Sequence, residues 1–207
     1  MDVHRRLHGG TELTVSVATP AHAPAIVVLY ASLSEQSQRR RFAGGMSFDA
    51  FAAAAALDPE TGAVAVVASE GARVVGEARY LPTSDGTHEL VVTVADDHQG
   101  QGLGGHLVDR LREEAARRGV RTLRAVVRVD DEATVRLLRR RGAVLVGPAG
   151  DREAVVELPC VAPWRIAPGQ EDRAWRARTV GEVSTWFGSG YVPSSRSAVP
   201  GVATPNQ

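Results

Sequence analysis

The sequence predicts an α/β fold of the α+β kind: a mixed, mostly antiparallel central sheet flanked by helices, with a C-terminal extension. Three observations predict it. Two β-branched runs, residues 63–69 and 73–81, stand either side of Glu70-Gly71-Ala72, the signal of a hairpin with a glycine in its short loop. A third run, His88–Val94, leads through a glycine cluster into a long amphipathic stretch and then into another β-patterned run, which demands a β-α-β crossover. After Leu158 the composition changes, and all three tryphophan-type rings of the chain, Trp164, Trp175 and Trp186, fall beyond that point.

Taken in order, residues 1–10 form a polar lead. Residues 11–17 alternate, with Leu13, Val15 and Val17 against Glu12, Thr14 and Ser16, which is the period of a half-buried strand. Thr19-Pro20 supplies an N-cap and a first-turn proline, and Ile26, Leu29, Tyr30 and Leu33 follow at helical spacing to an end near residues 32–34. Ser47 caps an alanine-rich helix over residues 48–57, closed by Pro59 and Gly62. The hairpin follows, and then the turn Thr83-Ser84-Asp85-Gly86. The third run is apolar at nearly every position, as befits a central strand covered on both faces.

Leu103, Leu107, Leu111 and Ala115 recur every four residues, Glu113/Arg117 and Glu114/Arg118 pair at i,i+4, and Gly119 marks a helix stop. Residues 122–129 alternate again, residues 131–141 read as a capped helix ending at Gly142, and residues 143–146 with 152–158 form a hairpin around 148–151. The order is therefore β-α-α-β-β-β-α-β-α-β-β over residues 11–158. Residues 159–187 make a tryptophan-containing extension with too much apolar surface to leave in water; it is expected to pack on the domain or on a partner subunit, which makes a homodimer one expected assembly. Residues 188–207 are Ser/Pro/Gly-rich and read as a disordered tail.

With 43% hydrophobic and 23% charged residues the chain can bury a core, and with 24 basic against 24 acidic residues no global field draws it to nucleic acid or an anionic membrane. Residues 1–10 lack the apolar segment of a signal peptide and no apolar stretch is long enough to span a bilayer. Cys160 is the single cysteine, which excludes an intramolecular disulfide and fits a reducing cytoplasm.

The chemistry concentrates in Gln99-Gly100-Gln101-Gly102-Leu103-Gly104-Gly105. A strand that runs into glycines opening a helix gathers unpaired N–H groups and the positive end of a helix dipole, which makes an anion site. Two other readings stand beside this one. The glycines could serve only a tight turn and close packing, and Gly100, Gly102 and Gly105 also satisfy the dinucleotide fingerprint G-x-G-x-x-G of an NAD(P)-dependent oxidoreductase. Against the latter, five residues separate strand from glycine and three strands in hairpin order come first.

The same segment resembles the GNAT superfamily of N-acyltransferases, whose signature is Gln or Arg, two residues, Gly, one residue, then Gly or Ala. The resemblance extends over about residues 11–158 and implies a GNAT-like fold and acetyl-CoA as acyl donor. It implies that the amides of Gln101, Gly102, Leu103, Gly104 and Gly105 hold the pyrophosphate. The backbone around Val92, Thr93 and Val94 would pair with the pantetheine arm. In the family the last helix commonly opens on Asn and carries Tyr four residues before its glycine; this chain has Asp131 and Leu138 there, and Asp131 is taken as a cofactor contact. Ser32-Leu33-Ser34 with Arg39-Arg40-Arg41-Phe42, and the pair His88-Glu89, are similar to bacterial protein-lysine acetyltransferases. The acceptor this implies is an amine, a protein lysine or a small molecule; a sensor that holds acyl-CoA without transferring it is the other reading.

Transfer to an amine needs the amine neutral, so a base is required. Glu89 is the candidate, on the strand face of Val91 and Thr93, and burial is expected to suit it to accept a proton. The alternative is that Glu89 marks the strand edge and pairs with an arginine such as Arg79. His88 points to the opposite face. Cys160 has no patterned His/Asp partner, and no ligand-spaced set surrounds His98 or His106, so neither a thiol nucleophile nor a metal is expected. Arg39-Arg40-Arg41 reads as a solvated helix edge or as a surface for acidic groups.

Overall fold

The computed structural model describes residues 3–6, 12–41, 57, 59–128, 130–146 and 153–160. The expected helix before Leu57, the turn at 148–151 and everything after Cys160 lie outside the described residues. The strands are β1 (Val3–Arg6), β2 (Glu12–Val17), β3 (Val64–Glu70), β4 (Arg73–Pro82), β5 (His88–Val94), β6 (Thr122–Arg128), β7 (Val144–Leu145) and β8 (Glu153–Pro159). They form one sheet in the order β1-β2-β3-β4-β5-β6-β8-β7, antiparallel at every seam except the parallel β5–β6. The helices are α1 (Ala23–Ala31), α2 (Glu35–Arg41), α3 (Leu103–Arg117) and α4 (Glu132–Arg139).

Strand β1 lies within what the sequence presents as a polar lead. It pairs with β2 from Val3↔Val15 to Arg6↔Glu12, and its Val-His-Arg-Arg sequence shows no alternation because it is a polar edge strand. A second departure comes at the start of α1: a 3-10 turn, Pro20–His22, precedes the helix, so Pro20 opens the turn and not the helix. Helix α4 is shorter than its sequence pattern, with Asp131 outside it as the cap and Arg140 as C-cap.

Strands β3 and β4 lie inside the sheet, buried on both faces over most of their length. Pairing slips from Ala68↔Gly76 to Ser69↔Val74, so Val75 is an extra residue, a bulge that no local sequence signal announces. On one face α3 lays Leu103, Leu107, Val108, Leu111 and Ala115 against the sheet. Gly76 permits this approach, since a Cβ there would come within 2.8 Å of Leu107 Cδ1. On the other face α1 packs on β4, burying Ile26, Leu29 and Tyr30.

That second face holds a buried polar cluster. Tyr30 Oη donates to Glu77 Oε2 at 2.5 Å and Arg79 Nε donates to Glu77 Oε1 at 2.6 Å, with Glu77 and Arg79 only 1% and 2% exposed. The ion pair satisfies a carboxylate that would otherwise be prohibitively costly to bury. Helix α1 is thereby fixed on the sheet by chemistry as well as by apolar contact.

Candidate active site

The site follows from how β5 uses its two edges. Towards β4 it is paired along its whole length, from Pro82↔His88 to Gly76↔Val94. Towards β6 it is paired at one position, Glu89↔Arg124, and beyond that point the strands part. Ala95 N–H donates to Val75 O at 2.9 Å, so the backbone groups of Ala95 face β4, and alternation gives Thr93 and Val91 to the same seam. The backbone groups of Leu90, Val92 and Val94 therefore face the gap. Of the three residues expected to meet the pantetheine arm, Val92 and Val94 offer main-chain groups to the opening; those of Thr93 face β4, and its side chain is buried beside Glu77.

The gap widens into a cleft of about 400 Å³ whose walls are β5, β6 from Ala125 to Arg128, the glycine loop, the first turns of α4, and Leu33 and Ser37 beside the α1–α2 junction. The glycine loop closes one end. Gly100 and Gly102 sit at φ 73° and 85°, left-handed values that a Cβ would strain, and Gly102 is the N-cap of α3. The first amides that bond back into the helix are those of Gly105 and His106, both to Gly102 O, at 3.0 and 3.3 Å. Those of Leu103 and Gly104 are left at the helix start, in the stretch of chain that lines the cleft.

Gly105 serves a different purpose from the one the sequence suggests. Its amide is spent on Gly102, and a Cβ there would lie 2.2 Å from Arg141 Nη2. Arg141 bridges from the end of α4 to Asp109 of α3, Nε to Oδ1 at 2.8 Å and Nη2 to Oδ2 at 3.0 Å. Gly105 thus makes room for the guanidinium that ties α3 to α4. Gln101 is tied back to the preceding turn, its Nε2 donating to Asp97 O at 3.0 Å.

Gln99 holds the loop to the strand: its Nε2 donates to Val94 O at 3.0 Å, Asp96 Oδ1 at 3.1 Å and Ser37 Oγ at 3.1 Å. Asp131 lines the cleft but is engaged as a helix cap, accepting from Thr134 N–H at 3.2 Å and Thr134 Oγ1 at 2.8 Å. Leu138, in the position where a tyrosine was noted as usual, is buried.

Glu89 stands at the last paired position before the strands part and lines the cleft. It is exposed, so the burial expected from the sequence is not met, and the pairing considered for it is not formed, because Arg79 is bonded to Glu77. The expected opposition of faces does hold: His88 packs edge-on against Tyr80, with ring centroids 5.3 Å apart, on the face away from α1. His98, beside the glycine loop, is buried, its Nδ1 2.8 Å from Asp97 Oδ1 and its Nε2 3.4 Å from Glu70. Arg73 and His98 hold the Asp97 carboxyl well below the usual range, at about 2. Burial pushes the Cys160 thiol up to about 11, which leaves it protonated and unreactive at neutral pH. Among the described residues no group of His, Cys, Asp and Glu is arranged to hold a metal, and no helix is long and apolar enough to cross a membrane.

Two features escaped sequence reasoning. The Tyr30–Glu77–Arg79 cluster is hidden because a Glu and an Arg in a strand read as solvent-facing positions. The hydrogen bonds from Ser34 and Ser37 to Asp96 join residues about sixty apart, a separation no local pattern reports.

The arrangement also disposes of the dinucleotide reading. The strand leading into the glycines is the third of an antiparallel run, β3-β4-β5, whereas that fold needs parallel neighbours there. Comparison with known proteins agrees. No curated protein matches the sequence. The GNAT domain of Streptomyces lividans PAT is similar in structure, with a TM-score of 0.68 at 21% identity over 76% of this chain and 96% of that one. So is yncA of Salmonella typhimurium, solved with its cofactor acetyl-CoA, with a TM-score of 0.61 at 22% identity over 76% and 98%. The ribosomal-protein-alanine N-acetyltransferase of Brucella melitensis gives 0.57 at 25% identity over 69% and 96%. The profile of the acetyltransferase (GNAT) family matches residues 29–143, more than half of the chain. This protein belongs to the acetyltransferase (GNAT) family.

Proposed function

We propose that the enzyme transfers the acetyl group to an amine by direct attack, with Glu89 as general base and a protein lysine as the acceptor class its sequence most resembles. The observation that carries this reading is the position of Glu89 at the point where β5 and β6 separate. Acetyl-CoA supplies the activated thioester. The amides of Gly102, Leu103 and Gly104 are suited to its pyrophosphate, and the open edge of β5 at Val92 and Val94 to its amide-bearing arm. Glu89 shares a face with Thr93, the face against which α1 packs, so an amine reaching the cleft past Leu33 and Ser37 meets its carboxylate. Its exposure provides a route for the proton, from the ammonium to the carboxylate and on to water.

The test is Glu89→Gln, which keeps shape while removing basicity. The rate should fall about 10²–10⁴-fold, the usual contribution of general-base catalysis, with acetyl-CoA affinity unchanged. The residual rate should climb with pH as solution deprotonates an amine whose pKa is near about 10.4. Equal rates at neutral pH would remove Glu89 from the mechanism. His88→Gln, which alters a ring packed on Tyr80, should be nearly silent, and a larger loss there than at Glu89 would reverse the assignment.

A further inference from the structure

We infer that Asp96 is a positioning residue that joins the acceptor-side helix α2 to the cofactor loop, so that filling the loop with CoA orders the wall the amine must pass. The inference rests on the reading of the cleft given above and adds a coupling that the reading does not contain.

Asp96 opens the turn Asp96–His98 between β5 and the glycine loop. Its Oδ2 accepts the Ser34 backbone N–H at 2.7 Å; its Oδ1 accepts Ser34 Oγ at 3.2 Å, Ser37 Oγ at 2.5 Å and Gln99 Nε2 at 3.1 Å. These donors hold the carboxyl below its ordinary range, with the Ser37 bond the largest cause. Ser34 in turn starts α2, accepting Gln38 N–H on its carbonyl at 2.9 Å and Ser37 N–H on its hydroxyl at 3.3 Å.

Gln99 completes a triangle, since the same amide nitrogen reaches Ser37, Asp96 and the last carbonyl of β5. One carboxylate therefore gathers the first turn of α2, the end of β5 and the first residue of the glycine loop. Leu33 and Ser37, on the α2 side of this junction, line the same cleft as Gly102 and Gly104. Neither element can shift without breaking charge-assisted bonds to the other, which is the contiguous network that energetic coupling needs.

The test uses CoA alone as probe and amide hydrogen exchange as readout. In the wild type, saturating CoA should slow exchange of the amides at Ser37 and Gln38 by at least about fivefold, the low end of ordinary coupling free energies. Asp96→Ala should abolish that effect while leaving CoA affinity within about threefold and loop protection at Leu103 and Gly104 intact. Ser37→Ala, which removes one bond to Asp96 and one to Gln99 while leaving the glycines and Asp96 in place, should give part of the same loss and serves if Asp96→Ala does not fold. Unchanged CoA-linked protection of α2 in both variants, no protection in the wild type, or a collapse of CoA affinity in Asp96→Ala would each overturn the inference; the last would make Asp96 a support of the loop only. No transfer is measured, so a failure of the Glu89 assignment leaves this result untouched.

Discussion

The two edges of β5 are made of the same seven residues and behave oppositely. Along β4 every position pairs, and the seam is backed on one side by Leu103 and Leu107 and on the other by the Tyr30–Glu77–Arg79 cluster. Along β6 one pair forms and the rest of the edge is left facing a cleft. Unpaired backbone groups inside a protein are ordinarily a liability, and under the proposed function they are offered to a ligand that carries amides of its own. A binding site can thus be created by withholding hydrogen bonds from a strand whose other edge is held firmly enough to bear the omission.

The comparison breaks most severely where the firm edge loses its charge balance. Arg79→Met leaves Glu77 buried with Tyr30 and without its cation, and should cost about 3–5 kcal/mol, the range for removing one member of a buried pair. Urea unfolding would measure it. Tyr30→Phe on the same background should add less than it does in the wild type, because the two share one carboxylate.

A smaller and more direct effect lies in the strand itself. Amide exchange should alternate along β5: Val91 and Thr93 slow with or without ligand, Val92 and Val94 fast in the free protein and slowed when CoA is added. Slow exchange at Val92 without ligand would mean the open edge is closed in solution. The smallest effect is at the far end of the firm seam, where Asp97 Oδ2 takes Arg73 Nη1 at 2.8 Å and ties the start of β4 to the turn after β5. The folded pKa, about 2, lies below the unfolded value, so the stabilisation is complete above about pH 4 and is lost as pH falls through 2. Both groups are about half exposed, which limits it to less than about 1 kcal/mol. Acid titration of stability in wild type against Asp97→Asn would read it.

How far the sequence foretold this depends on the range over which each feature is encoded. Strands β2 to β6, the long α3 and the glycine loop are local patterns, periodicity and turn residues, and each stands where the sequence puts it. Strand β1 is polar and on an edge, where burial writes no alternation. Glu89 was legible as a position but not as an environment: alternation gives its face, whereas its exposure depends on what the rest of the fold lays over that end of the strand. Gly105 was legible as a glycine and misleading as a ligand contact, because its reason is Arg141, thirty-six residues away.

The pocket for Arg141 over Gly105 also bears on how inheritance would read this loop. Two neighbouring glycines answer to different neighbours: a Cβ at Gly104 would press on Leu137 Cδ1 at 3.0 Å, and one at Gly105 on a guanidinium that must reach Asp109. A lesion at Gly105 has a natural suppressor in a shorter residue at 141, whereas one at Gly104 calls for its compensation at Leu137. The loop that looks like one motif is two independently mutable units, and drift at its last glycine can be tolerated whenever residue 141 drifts with it.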